Sequence, residues 1–481
     1  MVTFVLAGIL LPFLGSLLVL ILPRSWVKAT SQLVTFAAML CTLFVLYSLG
    51  MTGKVGYTQD LLFFGDIVLY GVIVDKISAL LGSVFILFGF LVVVYSGGYL
   101  SEKNRDHVEH NGVQRRYYFF LLTFIGAMAG LVMSSTMLGL LAFFELTGVC
   151  SWGLIGYYND EKSLKAALKA IVTTELASVG LFIATAAFFV LTGGFQLSAF
   201  ATLDDTIKTW LFIGILIAAW GKSAQLPLHF WLPDAMAAPT PISAYLHAAS
   251  MVKAGVYIFA RCLLSAGTVP QVIGVVGVIM AIVTMFYGLL MYFPQKDFKR
   301  LLAYSTITQL SYIFFALSLS IFGSATAFNG AIAHVFNHAL GKGLFFLVAG
   351  AVGFSTGTRL LPNLKGLLKK MPLVGICFAV AALAVTGVPP FNGFFSKFTI
   401  FAGGFEAAKN APLLMILVVI AILETIGSFA WLFWVFSSSV PGDSSAEVAA
   451  ASDIAPSMKF ALVILACLAL LSGFFAMAWL K

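Results

Sequence analysis

Residues 221–255 read GKSAQLPLHFWLPDAMAAPTPISAYLHAASMVKAG, and the chain on both sides of them is strongly apolar. Lys222 stands at the end of one apolar run, Pro227 follows it, and Lys253 lies inside the next run. Proline removes a helix hydrogen bond. In lipid, a broken helix is tolerated only where its freed backbone is buried in protein or lines a water-filled path, and such breaks mark the ion path of transporters built from inverted repeats. A second stretch has the same character: residues 385–400 read VTGVPPFNGFFSKFTI, with Pro389 and Pro390 shortly before Lys397.

The composition around these stretches agrees with a membrane setting. Apolar residues make up 61% of the 481 and charged residues 10%, against about 25% charged in an ordinary soluble chain. Mean hydropathy is +1.04. Lipid must act as solvent for part of such a surface. The apolar runs are continuous and not alternating, which indicates helices and not a barrel.

The expected fold is therefore an all-α polytopic membrane protein of about fourteen transmembrane helices, each near the ~20 residues a bilayer requires. The spans are placed at 2–22, 29–50, 73–98, 117–134, 136–157, 165–192, 208–228, 241–263, 272–293, 300–321, 326–354, 373–391 with a broken continuation to about 407, 412–438 and 457–479. Breaks in spans 7 and 12, each with a nearby lysine, suggest two inverted five-helix repeats, spans 4–8 and 9–13. The whole of 1–481 reads as a single membrane domain: N-terminal spans over 1–98, a first repeat over 117–263, a second over 272–438 and a last span over 457–479. The first charge, Arg24, follows a run long enough to span, so span 1 reads as a retained helix and not a secretory signal.

The formal charge of +8 does not indicate nucleic-acid binding, because the basic residues sit in short loops with no aromatic–basic platform. Alternate loops carry Arg24 and Lys28, then Lys103, Arg105, Arg115 and Arg116, then Lys162, Lys165 and Lys169, then Lys296, Lys299 and Arg300, and so on to Lys459. The intervening loops hold few cations, which predicts that both termini face away from the cytoplasm. The five cysteines are widely spaced in apolar segments with no C-x-x-C, so they read as packed small hydrophobes. Asp106, His107, Glu109 and His110 offer metal-binding side chains but lie in a charged loop and read as solvated.

Charges inside spanning segments are the informative residues, since each costs of order 2.5–3.5 kcal/mol on insertion scales and persists when it faces a bundle interior. The candidates are Glu145, Glu175, Lys222, Lys253, Lys342, Lys397 and Glu424, with His247, His334 and His338. Glu145 sits in LLAFFELTGVCSW and is expected to pair with Lys222 from a neighbouring helix. Burial and partner charge together decide the protonation of such a lysine, which is the chemistry a proton valve needs. His334, His338 and Lys342 lie in AIAHVFNHALGKGLFF, and a spacing of four puts them on one helical face, about 6 Å apart along the axis. That pitch suits proton hand-over through intervening waters. A zinc site is the rival for the two histidines, but the adjacent Glu of the metalloprotease motif is missing and Lys342 would repel a cation.

Taken together, Gly221–Gly255, Glu145, the His334–Lys342 helix and the PPFNGFFSK segment resemble the proton-translocating antiporter-like subunits of respiratory complex I, Mrp-type cation/proton antiporters and group 4 membrane-bound [NiFe] hydrogenases. Within that family, VYSGGYLSEKNRDH, FIGAMAGLVMSSTMLG, AAWGKSAQLP, APTPISAYLHAASMVKAGVYIFAR and VTGVPPFNGFFSKF most resemble the hydrogenase-4 component D type of formate hydrogenlyase-like complexes. The length also fits that type, which lacks a long lateral helix after the last span.

The resemblance implies that Glu145 tunes Lys222, that His247 and Lys253 connect the halves, that His334, His338 and Lys342 form the central relay of the second half, and that Lys397 is its terminal group. Glu175 and Glu424 match no position of the family pattern. The implied partners are other membrane subunits, further antiporter-like ones included, the lipid bilayer, and peripheral [NiFe] hydrogenase and iron–sulfur subunits, in a prokaryotic inner membrane. No cofactor, metal or autonomous catalysis is expected of the chain itself. The leading function is redox-driven proton translocation. The alternatives are a component of an Mrp-type sodium or potassium/proton antiporter and a non-conducting membrane scaffold of a hydrogenase.

Overall fold

The computed structural model describes residues 1–52, 56–107 and 114–481. The helices run in the order α1 Val2–Ile21, α2 Arg24–Thr52, α3 Lys76–Tyr99, α4 Gln114–Met133, α5 Met137–Ile155, α6 Glu161–Thr192, α7 Asp205–Lys222, α8 Trp231–Asp234, α9 Thr240–Ala248, α10 Met251–Ala266, α11 Gln271–Leu290, α12 Phe298–Ser320, α13 Ala325–Thr356, α14 Leu367–Lys370, α15 Pro372–Thr386, α16 Asn392–Ala408, α17 Leu414–Ser439, α18 Ala446–Ala449 and α19 Pro456–Leu480. Among the described residues, 12 helices are long and apolar enough to cross a membrane, with α9 and α10 taken as one span. The chain is a multi-pass helical membrane protein.

The expected spans that fall outside those 12 are the two interrupted ones. Span 7 is expected over 208–228, but its helix stops at Lys222, and span 12 is split into α15 and α16. A further interruption has no counterpart in the sequence reading: the span expected over 241–263 is broken between Ala248 and Met251, where Ser250 leaves helical geometry at φ −133° and ψ −106°. This break separates His247 from Lys253.

One element departs from the all-helical expectation. Strands β1 Tyr57–Phe64 and β2 Ile67–Val74 form an antiparallel hairpin turned at Gly65, whose φ of +59° suits a residue without Cβ. The second strand of the hairpin packs on α3, α4 and α5. Ser135 donates its backbone N–H to the Gly71 carbonyl at 3.0 Å, and the Thr136 hydroxyl donates to Leu69 at 2.9 Å. Span 3, expected from 73, begins at Lys76 because Asp75 caps it, accepting from the Ser78 N–H at 2.8 Å.

The core is organised around α12 and α13, whose spanning windows are entirely buried. Helix α13 touches α3, α9, α12, α15, α16 and α19. Elsewhere the helices keep one lipid-facing side, as Leu17 on α1, Leu176 on α6 and Leu423 on α17 illustrate. Polar side chains in the interior return hydrogen bonds to their own helices, as Ser31, Thr35 and Ser96 do, which satisfies them without water.

Candidate functional site

Helix α7 is capped by Asp204, whose carboxylate accepts from the Ile207 N–H at 2.9 Å, and it ends on Lys222. The chain leaves through Ala224 at φ +50°, a left-handed conformation that is rare for a residue with a Cβ and is held here by the surrounding fold. Helices α6 and α7 approach closely because Gly180 faces Gly214: a Cβ on either would lie 2.5 Å from the carbonyl oxygen of the other. That contact brings Lys222 within reach of α6. Its ammonium lies 3.9 Å from Glu175 Oε1 and 4.1 Å from the centre of the Phe144 ring. Gly148 on α5 leaves the space for this pair, since a Cβ there would stand 2.5 Å from Glu175 Oε1 and 3.0 Å from Lys222 Nζ.

The pairing differs from the expectation. The sequence points to Glu145 as the partner of Lys222, yet the carboxylate within ion-pair distance of it is that of Glu175. Glu145 lies beside Glu175 and completes a triad with it. The close approach of α6 to α7 adds Glu175 to the surroundings of Lys222, and both carboxylates bear on its charge. Lys222 is fully buried, whereas the side chain of Glu175 is 36% exposed on the flank of the chain.

From Lys222 the polar groups continue inward. Gln225 accepts from the Ser311 hydroxyl at 2.9 Å, and Ser223 donates to the Val252 carbonyl at 2.8 Å. Two residues back on α12, Gln309 Oε1 lies 3.3 Å from His334 Nε2. The other ring nitrogen of His334 is 2.9 Å from the Ser396 hydroxyl, which is the neighbour of Lys397. His334 and His338 stand with ring centres 6.0 Å apart. Lys253 donates to the Val335 carbonyl at 3.0 Å, which ties α10 to this helix. His247 and Lys342 both approach Phe346, at 5.1 Å and 5.9 Å from its ring centre. The ring nitrogens of His247 and His338 and the ammonium of Lys342 are buried with no hydrogen-bond partner among the described residues. Groups of that kind call for water or a mobile proton.

Lys397 is held at the second break. Its ammonium donates to the Thr386 carbonyl at 3.3 Å, a carbonyl freed where α15 ends, and it lies 4.6 Å from the Tyr312 ring centre. The start of α16 is clamped by a reciprocal amide pair. Asn337 donates to the Asn392 carbonyl at 2.9 Å, and Asn392 donates to that of Asn337 at 3.1 Å.

A cavity of about 820 Å³ opens on the basic face beside the first break. It is lined by Lys165 and Lys169 of α6, Asp234, Arg300, Arg359 and His107, among others. Lys169 and Asp234 form an ion pair at 2.6 Å across it. Arg359 reaches both Asp106 at 3.5 Å and Asp297 at 3.8 Å. Burial pushes His107 below its usual range although Asp106 works the other way. Of the metal-ligand candidates in that loop, Asp106 is thus engaged by arginine and His107 stacks on Tyr158, while Glu109 and His110 lie outside the described residues. Lys299, read from sequence as a loop cation, is fully buried and donates to the carbonyls of Met236 at 2.8 Å and Ala238 at 2.6 Å, so it pins the broken segment.

Sequence reasoning from charges alone missed Gln309, Ser311, Ser396, Tyr312 and the Asn337–Asn392 clamp. Their signal was present: amides and hydroxyls in otherwise apolar helices must find partners when buried.

The transmembrane family described as NADH:quinone oxidoreductase/Mrp antiporter matches residues 134–424, more than half of the chain and all of the groups above from Glu145 to Glu424. A Na(+)/H(+) antiporter subunit of Alkalihalophilus pseudofirmus is 34% identical over 434 residues, which takes in 84% of this chain and 52% of that protein. Its counterpart in the Na(+)/H(+) antiporter of Staphylococcus aureus is 38% identical over 341 residues, 67% of this chain and 41% of that one. A probable K(+)/H(+) antiporter subunit of Rhizobium meliloti is 35% identical over 418 residues, 84% of this chain and 40% of that one. The chain thus spans about half the length, or less, of the curated relatives it matches.

Among solved structures, the Mrp complex from Dietzia sp. DQ12-45-1b superposes with a TM-score of 0.86 at 28% identity, covering 99% of this chain and 51% of that one. The archaeal membrane-bound sulfane sulfur reductase gives 0.85 at 24% identity, covering 99% and 95%, a likeness of fold. The antiporter-like family expected from the sequence is supported by these relatives, whereas the hydrogenase-4 component D type draws no specific support from them. The chain belongs to the NADH:quinone oxidoreductase/Mrp antiporter transmembrane family.

Proposed function

We propose that the chain translocates protons along the row Glu145/Glu175–Lys222–Lys253–His334/His338–Lys342–Lys397, with His247 beside it, as one component of a multi-subunit cation/proton antiporter of the Mrp kind. The observation that carries this reading is the set of buried titratable groups lying between the two broken helices, with the Gln225–Ser311 and Gln309–His334 contacts among them. The similarity to Na(+)/H(+) and K(+)/H(+) antiporter subunits favours antiport over the redox-driven, hydrogenase-4-like complex.

Chemically, the row supplies what proton transfer needs. Lys222 exchanges its proton as the Glu175 and Glu145 carboxylates approach or withdraw, since a nearby opposite charge favours the ionised lysine and burial disfavours it. The cavity with the Lys169–Asp234 pair gives protons a polar approach to the first break. The partners are other membrane subunits, including further antiporter-like ones, in a prokaryotic cytoplasmic membrane. The two five-helix repeats over 117–263 and 272–438 and a non-cytoplasmic position for both termini belong to the same proposal.

The test uses everted vesicles that carry the assembled complex in a host lacking its own antiporters. Addition of sodium or potassium should collapse a preformed pH gradient. Lys222→Met and Lys397→Met should each slow that collapse more than tenfold at equal subunit content. Full activity of the double variant would overturn the relay. Proton uptake that needs hydrogen or formate oxidation, with no cation requirement, would move the complex to the redox-driven reading. A reporter fused after Lys481 that works only in the cytoplasm would overturn the orientation.

A further inference from the structure

A set of buried groups on α12 and α17 and just past the end of α11 lies beyond the row described above. Glu424, at mid-length of α17, is fully buried. One carboxylate oxygen accepts from the Tyr312 hydroxyl and the other from the Ser428 hydroxyl. Ser428 lies one turn further along α17, and its hydroxyl is 3.4 Å from that of Tyr292. Tyr292 follows the end of α11, is itself fully buried, and is adjacent to the exposed Phe293 on the basic face. The Tyr312 hydroxyl also contacts Thr425 Oγ1 at 2.5 Å, and its ring is the one the Lys397 ammonium caps at 4.6 Å.

A carboxylate buried among apolar helices is costly unless it is satisfied and used. Glu424 has one hydroxyl donor on each carboxylate oxygen: Ser428, beside buried Tyr292 on the side of the basic loop, and Tyr312, whose ring faces Lys397. A serine or tyrosine hydroxyl can accept one proton while donating another, so Tyr292, Ser428, Glu424 and Tyr312 can pass a proton in one direction by rotation of their O–H bonds.

We infer that these four residues form a dedicated proton branch between the basic face and Lys397, with Glu424 as its carrier. This deepens the proton-translocation reading and rests on it. In one passage a proton enters at Tyr292 and is handed through Ser428 to the Glu424 carboxylate. It then passes by the Tyr312 hydroxyl to deprotonated Lys397, a water bridging the last gap beside the ring. Each hydroxyl ends with the number of protons it began with, Glu424 is left ionised, and Lys397 is left as the ammonium.

The test measures proton translocation by vesicles carrying the assembled complex, with subunit content checked by blotting. Tyr312→Phe keeps the ring that Lys397 caps and removes only the hydroxyl; it should slow translocation at least fivefold. Glu424→Gln should slow it at least tenfold and Glu424→Asp should restore most of it. Ser428→Ala should also slow it, and serves if a Glu424 variant does not assemble. Lys222→Met and Lys397→Met are run beside them. If the lysine variants are inactive while Tyr312→Phe, Ser428→Ala and Glu424→Gln all run at the wild-type rate, the branch is overturned and the relay stands. If the lysine variants retain full activity, the relay itself fails. An equal loss in Glu424→Gln and Glu424→Asp, with Tyr312→Phe and Ser428→Ala unaffected, would mark Glu424 as a packing residue and overturn the branch.

Discussion

The Lys222 and Lys397 sites use the same parts in different surroundings. Each has a lysine beside a helix break, an aromatic ring under its ammonium, and a glutamate nearby: Phe144 and Glu175 in the first, Tyr312 and Glu424 in the second. The first carboxylate is 36% exposed on a flank where Val172, Leu176 and Val179 are also exposed. The second is sealed among α12, α16 and α17 and held by hydroxyl groups. An exposed charge on an apolar membrane flank costs several kcal/mol, and that cost depends on what covers it. The first site is therefore sensitive to whatever lies against α5 and α6, while the second takes its electrostatics from inside the chain.

The largest effect that would break this comparison is on ranking within the first site. Glu175→Gln is expected to slow translocation about tenfold, equivalent to ~1.4 kcal/mol in a barrier, and to do more harm than Glu145→Gln. Rates measured in matched vesicles that put Glu145→Gln lower would restore the pairing expected from sequence. Next comes Gly148→Ala, whose added Cβ would meet Glu175 Oε1 at 2.5 Å. Overpacking of this kind costs about 1–3 kcal/mol. A several-fold loss of transport with normal assembly is expected, and an unaffected rate would show that the Lys222–Glu175 contact is dispensable.

In the second site, Asn392→Ala removes one arm of the amide clamp and strands a partner, at about 1–3 kcal/mol. The midpoint of thermal unfolding of the solubilised protein should fall, more than for Asn410→Ala, whose side chain makes a single bond to the Phe322 carbonyl. The smallest effect is expected at Lys165→Ala. Its ion pair with Glu161 joins side chains that are 75% and 82% exposed, and such pairs contribute under about 0.5 kcal/mol. Transport and unfolding should match the wild type; a large loss would give the cavity rim a role beyond lining.

Much of the fold was legible because hydropathy and loop charge report directly on lipid burial, and most expected spans lie within a few residues of their helices. The hairpin over 57–74 was hidden because IVLYGVIV reads as apolar at either period. The break at Ser250 was hidden because no proline or glycine marks it. At the site, charge in an apolar run was enough to nominate Lys222 or Lys397. The addition of Glu175 beside Lys222 was not legible, since it depends on the α6–α7 approach at Gly180 and Gly214. Neutral relays such as Gln309 carry no signal in a search confined to charges.

At its other end, α10 is moored. Arg261 makes two bonds to the Asp75 carboxylate, at 2.5 Å and 3.1 Å, and its Nε donates to the Tyr257 hydroxyl at 2.8 Å. Burial alone would raise the Asp75 carboxyl, but Arg261 and the α3 cap hold it at about 2. A depressed carboxylate contributes its full stabilisation above its unfolded value of about 3.9 and loses it only as pH falls through the folded value. The mooring therefore stays ionised well below neutral pH. Helix α10 is thus anchored by charge at one end and by two backbone carbonyls at the other, Val252 accepting from Ser223 and Val335 from Lys253, so the break at Ser250 is a joint between two fastened pieces.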